Sequence, residues 1–287
     1  MAAFERILQE QFRQIESLYA AARRDQIQVR ESLLATFFFE AFQEHQSACG
    51  ESNFPAFYEF MAYAFPRAQQ SHSQIAQDLW VAYFMKEMSG GVFLEIGAGD
   101  GKYMSNTLML ERDFGWSGLL VEPNPELVVQ LQSIRLAPCI QAPIWPRDGE
   151  DLEFQVASDA YLSRVGQDFA EDLHDRIGSR QIDKKISVKG RSFESICDQA
   201  ELTSIDYVSL DVEGAELSIL ESIDLGKWQV PLWTIEHNWT DTSPRIYELM
   251  LNAGYNCWLP EFVRQDYFFY HPDWLANRLS GLKRSEM

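Results

Sequence analysis

From Lys86 onward the chain alternates short apolar runs with stretches of helical periodicity, and this alternation limits the folds open to it more than any other feature. The runs fall at residues 91–97, 118–122, 138–142, 205–211 and 232–238. Parallel strands cannot be joined by a tight turn, so a helix between successive runs implies βαβ units and a parallel sheet with helices on both faces. An insertion at 143–204 separates the third run from the fourth and holds strand-like pieces at 152–156 and 185–188 around an acidic helix-like stretch at 168–177. Residues 255–259 and 266–270 are expected to form an antiparallel pair at the sheet edge.

Upstream of this region, Phe4, Ile7, Leu8, Phe12, Ile15, Leu18 and Tyr19, then Leu33, Leu34, Phe37, Phe38, Ala41 and Phe42, recur at helical spacing without Pro or Gly. One long helix or two are expected, serving as packing for the next domain, as a dimer contact between two copies, or as a lid. A further helix is expected at 74–86. The division is therefore a helical extension over 1–70, a main domain over 71–275 and a tail over 276–287.

Composition excludes several classes. Apolar residues make up 46% of the chain, enough for a large core, while 43 Asp and Glu against 24 Lys and Arg leave a net charge of −19. Nucleic acid is an unsuitable partner, because its phosphates need clustered cations. The N-terminus lacks a cationic region followed by an apolar stretch, and the most apolar run, 33–39, is short and flanked by charge. No membrane contact and a cytoplasmic location are expected. Cys49, Cys139, Cys197 and Cys257 form no CxxC pair and read as reduced thiols.

The first apolar run leads straight into Glu95-Ile-Gly97-Ala98-Gly99-Asp100-Gly101-Lys102, which places glycines where a strand must turn into a helix and a ligand can approach the backbone. Glu122 ends the second run, where a carboxylate can accept both ribose hydroxyl hydrogens, and Pro123-Asn124-Pro125 follows. A nicotinamide dinucleotide site is the rival reading, but its fingerprint needs G-x-G-x-x-G, and here the glycines stand at 97, 99 and 101. Glu95, inside the strand before the turn, suits a ligand with an ammonium group better than a pyrophosphate. S-adenosylmethionine carries that ammonium, a sulfonium and a ribose.

The fourth run ends in Asp211-Val-Glu213-Gly-Ala-Glu216 and the fifth in Glu236-His237-Asn238, so several carboxylates gather at the carboxyl edge of the sheet, where open α/β sheets bind ligands. Glu216 reads as a helix N-terminal acid that favours the macrodipole. Trp239, directly after this run, is either core or a platform for a sugar or other flat substrate.

These residues resemble the FkbM-type class I S-adenosylmethionine-dependent methyltransferases, which are chiefly O-methyltransferases. The resemblance runs over about residues 71–272 and rests on Ser73-Gln74 with Gln77-Asp78, the Glu95 to Gly101 turn with Ser105-Asn106-Thr107, Gly115-Trp-Ser-Gly118, Val121 to Glu126, Asp206 to Glu216 and Glu236-His237-Asn238. It implies a Rossmann-like, seven-stranded, mostly parallel sheet. Glu95, Gly97, Ala98, Gly99 and Asp100 would line the methionine end of the cofactor, with Asp211 nearby. Glu122 would hold the ribose, Pro123 and Asn124 the adenine edge, and Gln141, Ala142 and Pro143 would flank the adenine. Gln74 and Asp78 would close over the cofactor. Related macrolide-sugar enzymes use a divalent metal, for which Asp211 and Glu236 occupy comparable places, with Mg²⁺ the natural ion.

The expected chemistry is methyl transfer to a hydroxyl of a sugar or natural-product small molecule, the proton going to His237 or Asp211 with Glu213 beside them. For His237 a hydrogen bond that orients Glu236 is the alternative. The rival functions are N-methylation on the same fold and a non-catalytic cofactor-binding module. The carboxylates at the mouth make a neutral or cationic acceptor the expected partner.

Overall fold

The computed structural model describes residues 54–166, 172–260 and 265–285. The helices expected within residues 4–46, and the lid or dimer contact they would form, lie outside these residues.

Seven strands form one sheet in the order β3 (Cys139–Ile140), β2 (Ser117–Val121), β1 (Val92–Ile96), β7 (Tyr207–Leu210), β8 (Leu232–Glu236), β10 (Asp266–Tyr270) and β9 (Asn256–Cys257). Pairings from β3 through β8 are parallel, and β10 runs antiparallel to both β8 and β9. The expected antiparallel edge pair is therefore present, with β9 outermost. β3 is shorter than its apolar run. After Ile140 the backbone turns, Ala142 N donating to the Ile140 carbonyl at 3.2 Å, and Pro143 has no N–H to offer a ladder.

Strand periodicity sorts the core onto two faces. Leu94, Ile96, Leu119, Val121, Val208, Leu210, Trp233 and Ile235 pack with Phe193 and Ile196 of the helix Phe193–Gln199, Ile219 and Leu220 of Glu216–Ser222, and Ile246 and Met250 of Ser243–Asn252. On the other face Phe93, Leu120, Tyr207, Leu232 and Phe268 meet Phe57 and Phe60 of Phe54–Ala64, Leu79 and Trp80 of Gln77–Phe84, Met109 and Leu110 of Leu108–Phe114, and Leu131 of Pro125–Ile134. Each such fully buried side chain contributes about 1.5–3 kcal/mol of transfer free energy. The helix Phe54–Ala64 thus shares the core of the sheet domain, although it falls within the segment assigned to the N-terminal extension.

The insertion folds into a second, three-stranded antiparallel sheet in the order β5 (Arg164–Val165), β4 (Asp151–Ala157), β6 (Ile182–Lys189). Phe154, Val156 and Val165 anchor it to the main core, and the outer strand faces water through lysines, with Lys185 paired to Glu153 at 2.8 Å. The acidic stretch contributes the helix Leu173–Ile177. Among the described residues no helix is long and apolar enough to cross a membrane.

Candidate active site

Because the chain leaves β3 for the far side of β1 before forming β7, the crevice between the carboxyl ends of β1 and β7 is a topological switch point. A cavity of about 560 Å³ opens there. Its walls come from the glycine turn, the ends of β2, β7 and β8, and the insertion, which adds Tyr161, Leu162, Val165, His174 and Ile177.

Gly97 is imposed by packing. Its φ is +87°, and a Cβ there would lie 1.7 Å from the Asp211 carbonyl oxygen, so the turn and the end of β7 touch backbone to backbone. At Gly99, φ +56°, a Cβ would meet the Tyr161 ring at 2.9 Å, which shows how closely the insertion covers the turn.

Glu122 lies on the cavity wall, its two oxygens accepting from Gly99 N at 2.9 Å and Asn124 N at 2.7 Å. Each oxygen keeps a lone pair for a ligand hydroxyl. Burial raises its carboxyl to about 7 against these hydrogen bonds, which favour the ion. Gln74, Gly97, Ala98, Gly99, Pro123, Ala142, Pro143, Asp211, Glu213 and Glu236 line the cavity too, as does Glu95.

Other expected ligands are turned to structural work. Asp78 is enclosed by Ser71 Oγ, Ser73 Oγ, His72 N and Leu79 N, so it shapes the loop ahead of its helix instead of lining the cavity. Asp100 accepts from Lys102 N and Tyr103 N and fixes the turn. Asn124 caps the helix Pro125–Ile134 by accepting from Glu126 N. Gln141 is exposed outside the cavity lining, because the backbone turns after Ile140.

Glu95 is occupied by the protein itself. Its carboxylate accepts from Ser105 Oγ, Asn106 N at 2.6 Å and Thr107 Oγ1 at 2.5 Å, and pairs with the buried Arg135 guanidinium at 3.3 Å. Arg135 also reaches Glu111 at 3.3 Å. The network latches the segment after the glycine turn onto β1.

At the ends of β7 and β8, oxygens of Asp211, Glu213 and Glu236 all lie within 4.8 Å of one another. Burial is the largest cause lifting all three carboxyls; for Asp211 the nearby Asp266 adds to it and the value reaches about 8, while Glu213 and Glu236 are pushed further upward by the Asp211 charge. Asp211 and Glu236 are hydrogen bonded to each other, and Glu236 Oε2 is buried without a partner among the described residues. Hard oxygen donors gathered around an unpaired oxygen are a donor set that fits a small divalent cation. Arg180 offsets one of the charges by binding Glu213 together with Asp172. Glu216 accepts from Val212 N and Gly214 N, and so acts as the helix-terminal acid its position suggests.

His237 does not line the cavity. Its ring lies against Tyr267 of β10, with centroids 4.2 Å apart, and Nδ1 accepts from Trp239 N. The left-handed φ values of Asn238 (41°) and Trp239 (50°) turn the chain sharply here, and Trp239 emerges 47% exposed on the cavity wall.

Gln77, Tyr103, Asn106, Tyr161 and Asn238 also line the cavity and were not singled out as ligands. Asn106 and Asn238 stand inside motifs quoted above, so their neighbourhood was a usable signal. Tyr161 stands in a segment with no pattern and only packing brings it in.

The strand order with its one reversed strand, the glycine turn, the acid ending β2 and the acids ending β7 and β8 define a Rossmann-like domain of the class I methyltransferase type. The model of the methyltransferase FkbM domain matches residues 95–257, and the chain belongs to that family. Among solved structures it is similar to the methyltransferase FkbM from Methylobacillus flagellatus KT, with 13% identity, 85% of this chain and 62% of that chain covered, and a TM-score of 0.43. It thus spans less than two thirds of that relative's length. It is also similar to the precorrin-6y C5,15-methyltransferase from Geobacter metallireducens GS-15, with 11% identity, 67% and 84% covered and a TM-score of 0.37. A third is an S-adenosylhomocysteine-bound methyltransferase from Podospora anserina, with 10% identity, 80% and 92% covered and a TM-score of 0.34. No curated protein matches the chain.

Proposed function

We propose that this protein transfers a methyl group from S-adenosylmethionine to a hydroxyl of a sugar or natural-product small molecule, neutral or cationic in charge. One observation carries the reading: a single cavity joins the glycine turn and Glu122 to the Asp211, Glu213 and Glu236 cluster. The first part suits a nucleoside and the second suits proton removal.

The sulfonium makes the methyl carbon electrophilic. The acceptor oxygen attacks in line, the S–C bond breaks, its electrons stay on sulfur as a neutral thioether, and the hydroxyl proton leaves to a base. Asp211 is the base in this reading. The Asp211 carboxyl, lifted to about 8 chiefly by burial, accepts the proton in its ionised form, so in this reading transfer speeds up as pH rises toward 8. Asp211, Glu213 and Glu236 are also the residues that would hold a divalent cation, which when bound lowers the pKa of a hydroxyl placed against it. Trp239 offers the acceptor an aromatic face.

Calorimetry tests the cofactor, with S-adenosylhomocysteine expected to bind and NAD not; binding of NAD alone would overturn the reading. Single-turnover transfer to a panel of glycosides and phenols tests the chemistry. D211N is expected to bind S-adenosylhomocysteine and lose transfer, whereas a retained rate, with no dependence on a group titrating near neutrality, favours N-methylation.

A further inference from the structure

We propose that Asn106, and not Glu95, receives the ammonium group at the amino-acid end of the cofactor, an assignment that rests on the S-adenosylmethionine reading above. Glu95 has the charge for that task but not the free valence, since Ser105, Asn106 N, Thr107 and Arg135 already donate to its two oxygens. Displacing them would strip the buried Arg135 of one of its two carboxylate partners, Glu95 and Glu111.

Asn106 is the next residue along the same wall. It is 5% exposed, its backbone N–H is held by Glu95 at 2.6 Å, and its Nδ2 donates to Ser209 Oγ on β7 at 2.8 Å. These bonds fix the amide and leave Oδ1 at the cavity as a buried acceptor with no partner among the described residues. A buried acceptor left unpaired carries a desolvation penalty, which a ligand donor removes.

The ligand's donors narrow the choice. The ribose hydroxyls are matched by Glu122 at the end of β2, and the sulfonium has no N–H or O–H. The adenine amino group then lies beyond the ribose on the β3 side, away from Asn106, which is bonded to Glu95 of β1 and Ser209 of β7. Among the described residues the two other unpaired polar atoms of the cavity are Glu236 Oε2, which ends β8 within the acid cluster, and Asn238 Nδ2, two residues further on. Both lie at the end of the cavity where this reading places the acceptor. The ammonium, with three N–H groups, is the donor left for the Asn106 carbonyl.

The test compares S-adenosylhomocysteine with 5′-methylthioadenosine, which lacks the amino-acid end, by calorimetry on the full chain. Asn106→Leu is expected to weaken S-adenosylhomocysteine about ten- to a hundredfold, as loss of a hydrogen bond to a charged group does, and to leave 5′-methylthioadenosine unchanged. Asn106→Asp, which keeps an acceptor at the same place, is expected to restore tight S-adenosylhomocysteine binding. Equal weakening of both ligands makes Asn106 merely structural and overturns the assignment, as does a wild-type affinity in Asn106→Leu. If Asn106→Leu melts early, Asn106→Ala carries the same expectations. Should the unaltered chain bind neither ligand, the cofactor reading itself falls and the assignment with it.

Discussion

Arg180, from the inserted segment, forms an ion pair with Glu213 beyond the end of β7, its guanidinium 1% exposed and shared with Asp172 at 2.6 Å and Asp175 at 3.1 Å. The pair ties the small sheet to the carboxyl edge of the large one. It also neutralises part of a carboxylate cluster that would otherwise repel itself.

Removing Arg180 leaves buried acids without their counter-charge. R180M is expected to lower the free energy of unfolding by about 3–5 kcal/mol, the cost of breaking a buried ion pair from one side. Denaturant titration at pH 7 measures it. A loss below about 1 kcal/mol, the size of a surface pair, would show that the cluster does not need this charge.

Stability of the ligand-free protein is expected to fall as pH rises. Glu122 titrates near its ordinary value of 4.5 in the unfolded chain and near 7 in the folded one, so the folded state holds the extra proton between these values. The stabilisation is complete below about pH 4.5 and is lost as pH rises through about 7, amounting to about 3 kcal/mol for this group at most. Asp266, raised to about 6 by burial first, acts in the same sense. Thermal melts from pH 5.5 to 8 read the trend, and a Tm that climbs with pH would refute it.

Gly97→Ala and Gly149→Ala separate strain from collision. Both glycines have left-handed φ, +87° and +75°, but a Cβ at Gly149 meets nothing within 4 Å while one at Gly97 strikes the Asp211 carbonyl. The Gly149 variant is expected to lose about 1–2 kcal/mol for backbone strain alone, and the Gly97 variant that loss plus about 1–3 kcal/mol for overpacking, with cofactor binding abolished. Equal losses would mean that the β1 turn and the β7 end do not bear on each other.

His237→Ala is expected to leave single-turnover methyl transfer near the wild-type rate and to lower stability by about 1 kcal/mol or more, because the ring packs on Tyr267. A rate loss of about a hundredfold or more, the effect of removing a general base, would return the imidazole to the chemistry.

Much of this molecule was legible in local pattern. Apolar runs have a period that chain geometry turns into strands, glycines at 97, 99 and 101 can only mark a turn, and an acid ending a strand must face the carboxyl edge, so the sheet, Glu122 and the Asp211 and Glu236 pair follow from residue order. The insertion's two longer strands are legible for the same reason, although their role over the glycine turn is not.

What the sequence determined, then, is which residues reach the edge of the sheet. Which of them remain free to bind was decided by tertiary structure, since hydrogen-bonding capacity is spent between partners distant in sequence. Arg135 engages Glu95 from 40 residues away, Tyr267 takes the face of His237, and Arg180 reaches Glu213 across 33 residues. A carboxylate or imidazole looks the same in sequence whether its lone pairs are occupied or open, and only packing distinguishes them.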